Sequence, residues 1–565
     1  MSDSSTDAGT QANAKRLLWA GFMAILAAGV GFGVRGGLFN IWATEFNLNG
    51  TQLGNISLGA GFISFCFGII IGGIIVDKIG YGKLVIAAFA LHVLSAFVTF
   101  AAQPGMSTEA AYFYLYWGTF LFGLANGTLE AVSNPLVATL FPKNRNHYLN
   151  LLHASWPAGM VIGGMIGWYL GGNLGWNWKW QLALYLVPTL IYGVMFLGQH
   201  FPKSEASSKG LKIGEMFKDV GILGAAVVST LLFFFLRRDV FSQLIDNTLV
   251  ASLLSAVIAF GFLAWVATIT GFAIGHWLLF VLFILHAMIG SVELGTDGWI
   301  QNITGTILTE DQGKILFVFT SLVMFGLRFC AHFIETKLGL KPVSLLFVCS
   351  ILACLGLNLV AGVTAFGPAL GALLVYAVGK TFFWPTMLAV ASDRFPRTGA
   401  IAISLMGGIG MLSVGLLGGP GLGYARDRFA ADELQKTDEA LYAEYQSEGD
   451  ASQWTVFAAV QPIDPNKLDA AKKASAAAKL VASGNADEAT AALAETLTED
   501  QQTVADADIR GNRRTLKVDS LIPAAMAVGY LLLMIYFRSI GGYRPVRIDE
   551  SDALTSGDAK GTGES

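Results

Sequence analysis

Six ionisable side chains fall inside runs otherwise built of Leu, Ile, Val, Phe, Gly and Ala: Arg35, Glu130, Glu293, Asp297, Arg328 and Lys380. Each lies where a bilayer-spanning helix is expected. A lone charge at that depth costs about 3 to 10 kcal/mol or more, so it needs a partner or water and is a functional candidate by default. Glu293 and Asp297, in "SVELGTDGWI", are four residues apart and share one helix face. They repel each other unless they bracket a cation such as Lys380 or Arg35. Glu130, in "GLANGTLEAVSNPLVATLFP", reads as a carboxylate that exchanges a proton or holds a ligand, with Arg35 or Lys380 as its partner. The competing reading for all of them is a static ion-pair network that keeps two halves of the chain in register. For Arg328, with His332 and Glu335 one and two turns on, the expectation is a conformational role.

The elements that must hold these residues follow from composition. The chain has 565 residues, 54% hydrophobic and only 13% charged, with a mean hydropathy of +0.57. Soluble domains carry about 25% charged residues. Apolar runs of about 20 residues recur, the length that spans a bilayer as a helix, and they are too long for barrel strands. The expected class is therefore an all-α polytopic membrane protein. Spans are predicted near 17–44, 51–76, 84–102, 111–141, 149–172 and 181–200, then near 276–305, 314–335, 343–366, 369–392, 399–424 and 520–539. These make two six-helix bundles, at 15–202 and at 275–424 completed by 520–539. Between them lie a polar linker and an extra hydrophobic hairpin (203–274) whose two arms, 220–236 and 248–273, either span or lie in the interface. An acidic, Ala-rich insert at 425–519 reads as helices broken at Ser483-Gly484.

Lys and Arg concentrate in alternate loops: Lys78 and Lys83, Lys143 and Arg145, Lys203 to Lys218, Lys337 and Lys341, Arg394 and Arg397, Arg538 to Arg547. The positive-inside rule then puts both termini (1–14 and 540–565) in the cytoplasm, the insert outside, and the protein in the inner (plasma) membrane. Arg237 and Arg238 are the exception, on the outer side of the hairpin. The N-terminus has no cleavable signal pattern. The four cysteines, Cys66, Cys330, Cys349 and Cys354, fall in spans without CxxC or His/Cys clusters, so neither a disulfide scaffold nor a zinc site is expected. No nucleophile elbow or cofactor motif is present; no cofactor, enzymatic reaction or nucleic-acid partner is expected.

The two halves repeat weakly. "EAVSNP" places Pro135 five residues after Glu130, and "KTFFWP" places Pro385 five after Lys380. Repeated membrane bundles are a mark of transporters, with the site at the repeat interface. "GGIIVDKIGYGK", with Asp77, Lys78, Gly80 and Lys83, resembles the loop after the second helix in the major facilitator superfamily. "NGTLEAVSNPLVATLFP" is similar to the fourth helix of that superfamily's fucose permease-like sugar–proton symporters, with their Leu-Glu-x-x-x-Asn-Pro pattern. The resemblance covers the membrane portion and leaves out the insert. It implies alternating access, helices 1, 4, 7 and 10 lining a central cavity, and proton coupling in many members. It also implies that Asp77, Lys78, Gly80 and Lys83 hold one conformation through salt bridges and helix-dipole contacts. The first helix departs from the branch: "GFGVRGGLFNIW" carries Arg35 and no acid.

Groups for a sugar pocket complete the set. Asn134 lies one turn after Glu130, and His153 and Trp156 follow in "LLHASWPAG". Trp299, Asn302, Phe383 and Trp384 add stacking faces and an amide; sugars need hydrogen bonds for hydroxyls and an aromatic face for C–H surface. The plainer reading of the tryptophans is interfacial anchoring, and His153 is expected near the cytoplasmic end. The expected function is a monomeric, proton-coupled carrier of a small polar solute, a sugar first. An organic-anion or drug carrier, or a sensor or scaffold acting through the insert, stands beside it.

Overall fold

In a computed structural model, the described residues are 3–548 other than 49, 242–243, 450, 455–456, 483 and 485–486. The expected tail at 540–565 thus lies outside them beyond Ile548. The fold is all-helical. The first bundle comprises α1 (Asp3–Phe46), α2 (Ser64–Ile79), α3 (Tyr81–Phe100), α4 (Thr108–Leu140), α5 (Ser155–Met165) and α6 (Leu186–Phe196). The hairpin is α7 (Gly221–Phe235) and α8 (Thr248–Ile269). The second bundle contains α9 (Trp277–Gly290), α10 (Glu310–Arg328), α11 (Pro342–Gly362), α12 (Phe366–Lys380), α13 (Phe383–Arg394) and α14 (Ile401–Ser413). Then come α15 (Gly419–Thr437), α16 (Pro465–Ala482), α17 (Glu499–Asp519) and the last membrane helix, α18 (Leu521–Ser539).

Among the described residues, ten helices are long and apolar enough to cross a membrane, or eleven if a pair bent by 54° after Arg328 is one span. Both hairpin arms qualify. Residues 1–14, expected as a polar tail, are helical from Asp3 onward. Helix α1 is thus a continuous rod, longer than its predicted span.

Local chemistry sets the ends and the approaches. Ser107 accepts from the Ala110 amide at the start of α4, and the Asn247 side chain caps α8 through two amides. Gly29 and Gly33 of α1 face Gly159 and Gly163 of α5. A Cβ added at Gly159 would sit 2.6 Å from the Val30 nitrogen, and one at Gly163 would sit 2.8 Å from the Gly33 Cα. Only glycine permits that approach. The bundles meet where α2 packs on α14 and α5 packs on α10. Helices α15 and α17 continue α14 and α18 beyond the bundle as an antiparallel stalk, with α16 against it and Leu434, Leu441, Ile463 and Val504 in its core.

Candidate functional site

Two spans break at prolines and a third carries a π-helical turn, and these irregularities build the site. In the tenth, α12 ends at Lys380 and α13 begins at Phe383. Pro385 has no amide hydrogen, so the Thr381 carbonyl four residues earlier has no helical donor. In the fifth, Pro157 does the same to the His153 carbonyl, at the junction of helices Arg145–His153 and Ser155–Met165. Arg328 takes both: Nε donates to Thr381 O at 2.9 Å and Nη1 donates to His153 O. Its Nη2 donates to Glu293 Oε1 at 2.8 Å. Glu293 sits in a π-helical turn, Ser291–Gly295, that re-aims it relative to the rest of α9. Its second oxygen, Oε2, accepts from the Trp384 amide at 3.0 Å, a donor released by the break in the tenth span. Arg328 and Glu293 are 2% and 4% exposed, so every donor placed here replaces lost water.

The first bundle supplies the other half. Asn134 Nδ2 donates to Glu130 Oε2 at 3.2 Å, one helical turn apart on α4. The His153 ring nitrogen Nε2 lies 2.8 Å from Asn134 Oδ1. An amide oxygen only accepts, so Nε2 carries the hydrogen. A continuous chain therefore runs Glu130, Asn134, His153, Arg328, Glu293, and it crosses from one bundle to the other at Arg328. Glu130 is 4% exposed. Among the described residues no ion pair reaches it; Arg328 lies within electrostatic reach but beyond bonding distance.

This corrects the partner expected from sequence. Lys380 is spent on Asp297, with its ammonium also 5.2 Å from the Tyr376 ring. Glu293 and Asp297 do share a span, yet each has its own cation. Arg35 lies inside the first bundle, its guanidinium 3.9 Å over the Phe122 ring and 5.2 Å from that of Tyr185. Its Nη1 donates to Gly31 O, while Nε and Nη2 find no hydrogen-bond acceptor among the described residues. The cation within electrostatic reach of Glu130 is Arg328, for which the sequence suggests a conformational role or, in an anion carrier, the binding of a solute carboxylate. The available signal was Pro157 and Pro385, each four residues past a carbonyl that needed a donor.

Other expected pocket residues divide. Trp156 packs against Phe32 and Phe65 of the first bundle. The ring of Trp384 packs on His286, 4.7 Å away, so its backbone rather than its face serves the charge network. Phe383 is buried. Trp299 donates to Gly419 O at the base of the stalk. Asn302 is exposed and takes no part in the network. His153 joins the chain of contacts twice, through its ring to Asn134 and through its freed carbonyl to Arg328.

A second set of contacts ties the bundles at one end. Asp77, closing α2, accepts from Ser204 Oγ at 2.7 Å and from the Ala400 amide at 3.2 Å, which caps α14. Arg145 pairs with Asp393 at 3.1 Å and donates to Ser392 O; Tyr543 donates to the other Asp393 oxygen. Asn146 donates to Glu335. Gly80 turns the chain at φ +89°, a conformation that favours glycine. Lys78 and Lys83 are exposed at the same end. Between the ties lies a cavity of about 290 Å³ lined by Pro135, Ala138, Arg145, Ser392 and Gly399.

A family model described as Major Facilitator Superfamily matches residues 21–419. The chain belongs to the major facilitator superfamily. No curated protein sequence matches it. Among solved structures, it is similar to the proton:xylose symporter XylE bound to 6-bromo-6-deoxy-D-glucose, with a TM-score of 0.56 at 12% identity, covering 96% of this chain and 99% of that one. It is also similar to the E. coli fucose:proton symporter FucP, with a TM-score of 0.50 at 16% identity, covering 72% and 92%. At these identities the likeness is one of fold. The chain is thus a multi-pass membrane transporter and not an enzyme.

Proposed function

We propose that this transporter moves a small polar solute, a sugar first, by alternating access, with a proton carried on Glu130. One observation carries the reading. Of the three carboxylates in the central network, Glu130 alone lacks an ion pair among the described residues; its bonded partner is the neutral Asn134. An enclosed carboxylate without a cation beside it favours its neutral form, and a nearby cation or water favours its anion. A small shift between bundles that brings Arg328 toward Glu130 would expel the proton. Asn134 and His153 then serve as hydrogen-bonding groups for solute hydroxyls, and Trp156 supplies an apolar face. With the Lys- and Arg-bearing end taken as cytoplasmic, the ties at Asp77 and Arg145 close the inner side, and the protein rests facing outward in the inner membrane as a monomer with both termini inside. Sugar-fold neighbours agree with this reading without carrying it.

The test is purified protein in proteoliposomes with a trapped pH-sensitive dye, challenged with neutral sugars and organic anions. Sugar-driven proton entry is the expected result; sugar uptake with no proton movement contradicts it. An organic-anion carrier is the second reading, favoured by the buried Arg35, two of whose nitrogens find no acceptor among the described residues. An anion response with silence for every sugar would establish it.

A further inference from the structure

A large cavity lies away from the central network. It lies on the flank of the second bundle, between the extra hairpin, α9, the base of the stalk and α18, and its volume is about 1000 Å³. That is at the upper end of small-molecule sites. Its walls are almost wholly apolar, including Leu231, Ala287, Met288, Leu422 and Phe429. Ile284, Val518, Leu521 and Phe457 form its rim and are exposed, so it opens sideways, where the bundle meets lipid. At the insert end the lining changes character. Trp454 and Phe457 stack, with ring planes 6° apart and centroids at 5.3 Å. Arg428 joins the wall there and donates to Tyr424 Oη at 2.7 Å. That uses one of the five N–H donors of a guanidinium. Arg238, at the tip of the first hairpin arm, donates to Gly415 O, two residues before Leu417 of the wall. Of the acids nearby, Asp519 in the wall accepts from Thr296, and Asp432 pairs with Arg514 while staying within electrostatic reach of Arg428.

An apolar trough open to the bilayer, ending in an arginine at the height of the insert, has the chemistry of a diacyl phosphate. We propose that the cleft holds one phospholipid of the leaflet on the insert side. Its acyl chains lie between α7 and α9, and its phosphate rests on Arg428. The lipid fills the gap between the hairpin and the second bundle, and the Trp454–Phe457 pair covers its glycerol end. Arg237 and Arg238, which break the loop-charge pattern, then stand beside a headgroup rather than in a misplaced cytoplasmic loop.

The test uses the full-length protein equilibrated with vesicles of phosphatidylglycerol and phosphatidylcholine, then moved to detergent and weighed intact by native mass spectrometry. One phosphatidylglycerol per chain should remain. Arg428→Gln should weaken retention roughly tenfold, the loss of a charge-assisted contact. Ala287→Trp, which fills the trough, should abolish retention, with an unchanged melting temperature showing that each variant is folded. Glycerol phosphate without chains should not compete. Equal retention by wild type and Arg428→Gln, or equal retention of neutral diacylglycerol, overturns the phosphate assignment. No retained lipid, or a mass of two chains that Ala287→Trp breaks, overturns the lipid and makes the cleft an interface.

Discussion

Arg328 Nη2 lies 2.8 Å from Glu293 Oε1, and both side chains are buried at the junction of the two bundles. The same guanidinium holds two carbonyls left without helical donors by Pro157 and Pro385. One residue therefore satisfies a carboxylate and two broken spans, and it does so across the interface that alternating access must rearrange.

Removing Arg328 should be severe. Arg328→Ala leaves a buried carboxylate and two buried carbonyls unpaired, a loss of about 3–5 kcal/mol. Arg328→Lys keeps the charge but not the fork that reaches three acceptors. Both variants should melt well below wild type in detergent, with Glu293→Gln added to Arg328→Ala recovering part of the loss. Additive losses in that double variant would show that the two residues act separately.

Pro385→Ala restores an amide hydrogen that competes with Arg328 for Thr381 O. Substrate transport should fall sharply while the protein stays folded, because the helix itself gains a bond. Pro157→Ala should behave alike. Normal transport in both variants would mean that the freed carbonyls are incidental.

Asp77→Asn weakens the cap on α14, by about 0.5–2 kcal/mol, and Asp393→Asn removes the partner of Arg145. Together they should shift the population toward opening at that end. A cysteine at Ala138, buried beside the cavity between these ties, should then react faster with a water-soluble maleimide. Unchanged labelling would show that the ties do not hold the closed side shut.

The insert should be dispensable for transport. Replacing 439–497 with a flexible linker of about ten residues keeps α15 and α17 and their mutual packing. Uptake should persist in proteoliposomes. Its loss, with the protein folded, would favour a role for the insert itself.

The helical membrane class was legible because apolar length and loop charge are properties of sequence alone. The charged residues were legible too: Glu130, Glu293, Asp297, Arg328 and Lys380 stand out against Leu and Gly. Their pairing was not. Sequence offered Arg35 or Lys380 to Glu130, because all three sit in lining helices. The rotation of each helix decides otherwise: α1 turns Arg35 onto Phe122, and a π-helical turn sends Glu293 to Arg328. Asn302 is exposed on its helix and bonds to none of these groups.

The central claim is that Glu130 carries the proton and not the solute. The direct measurement compares sugar counterflow, which needs no net proton movement, with uphill uptake driven by a pH gradient, in wild type and Glu130→Gln proteoliposomes. The account predicts that Glu130→Gln keeps counterflow and loses gradient-driven accumulation. Accumulation equal to wild type, or loss of counterflow and accumulation together, would contradict it.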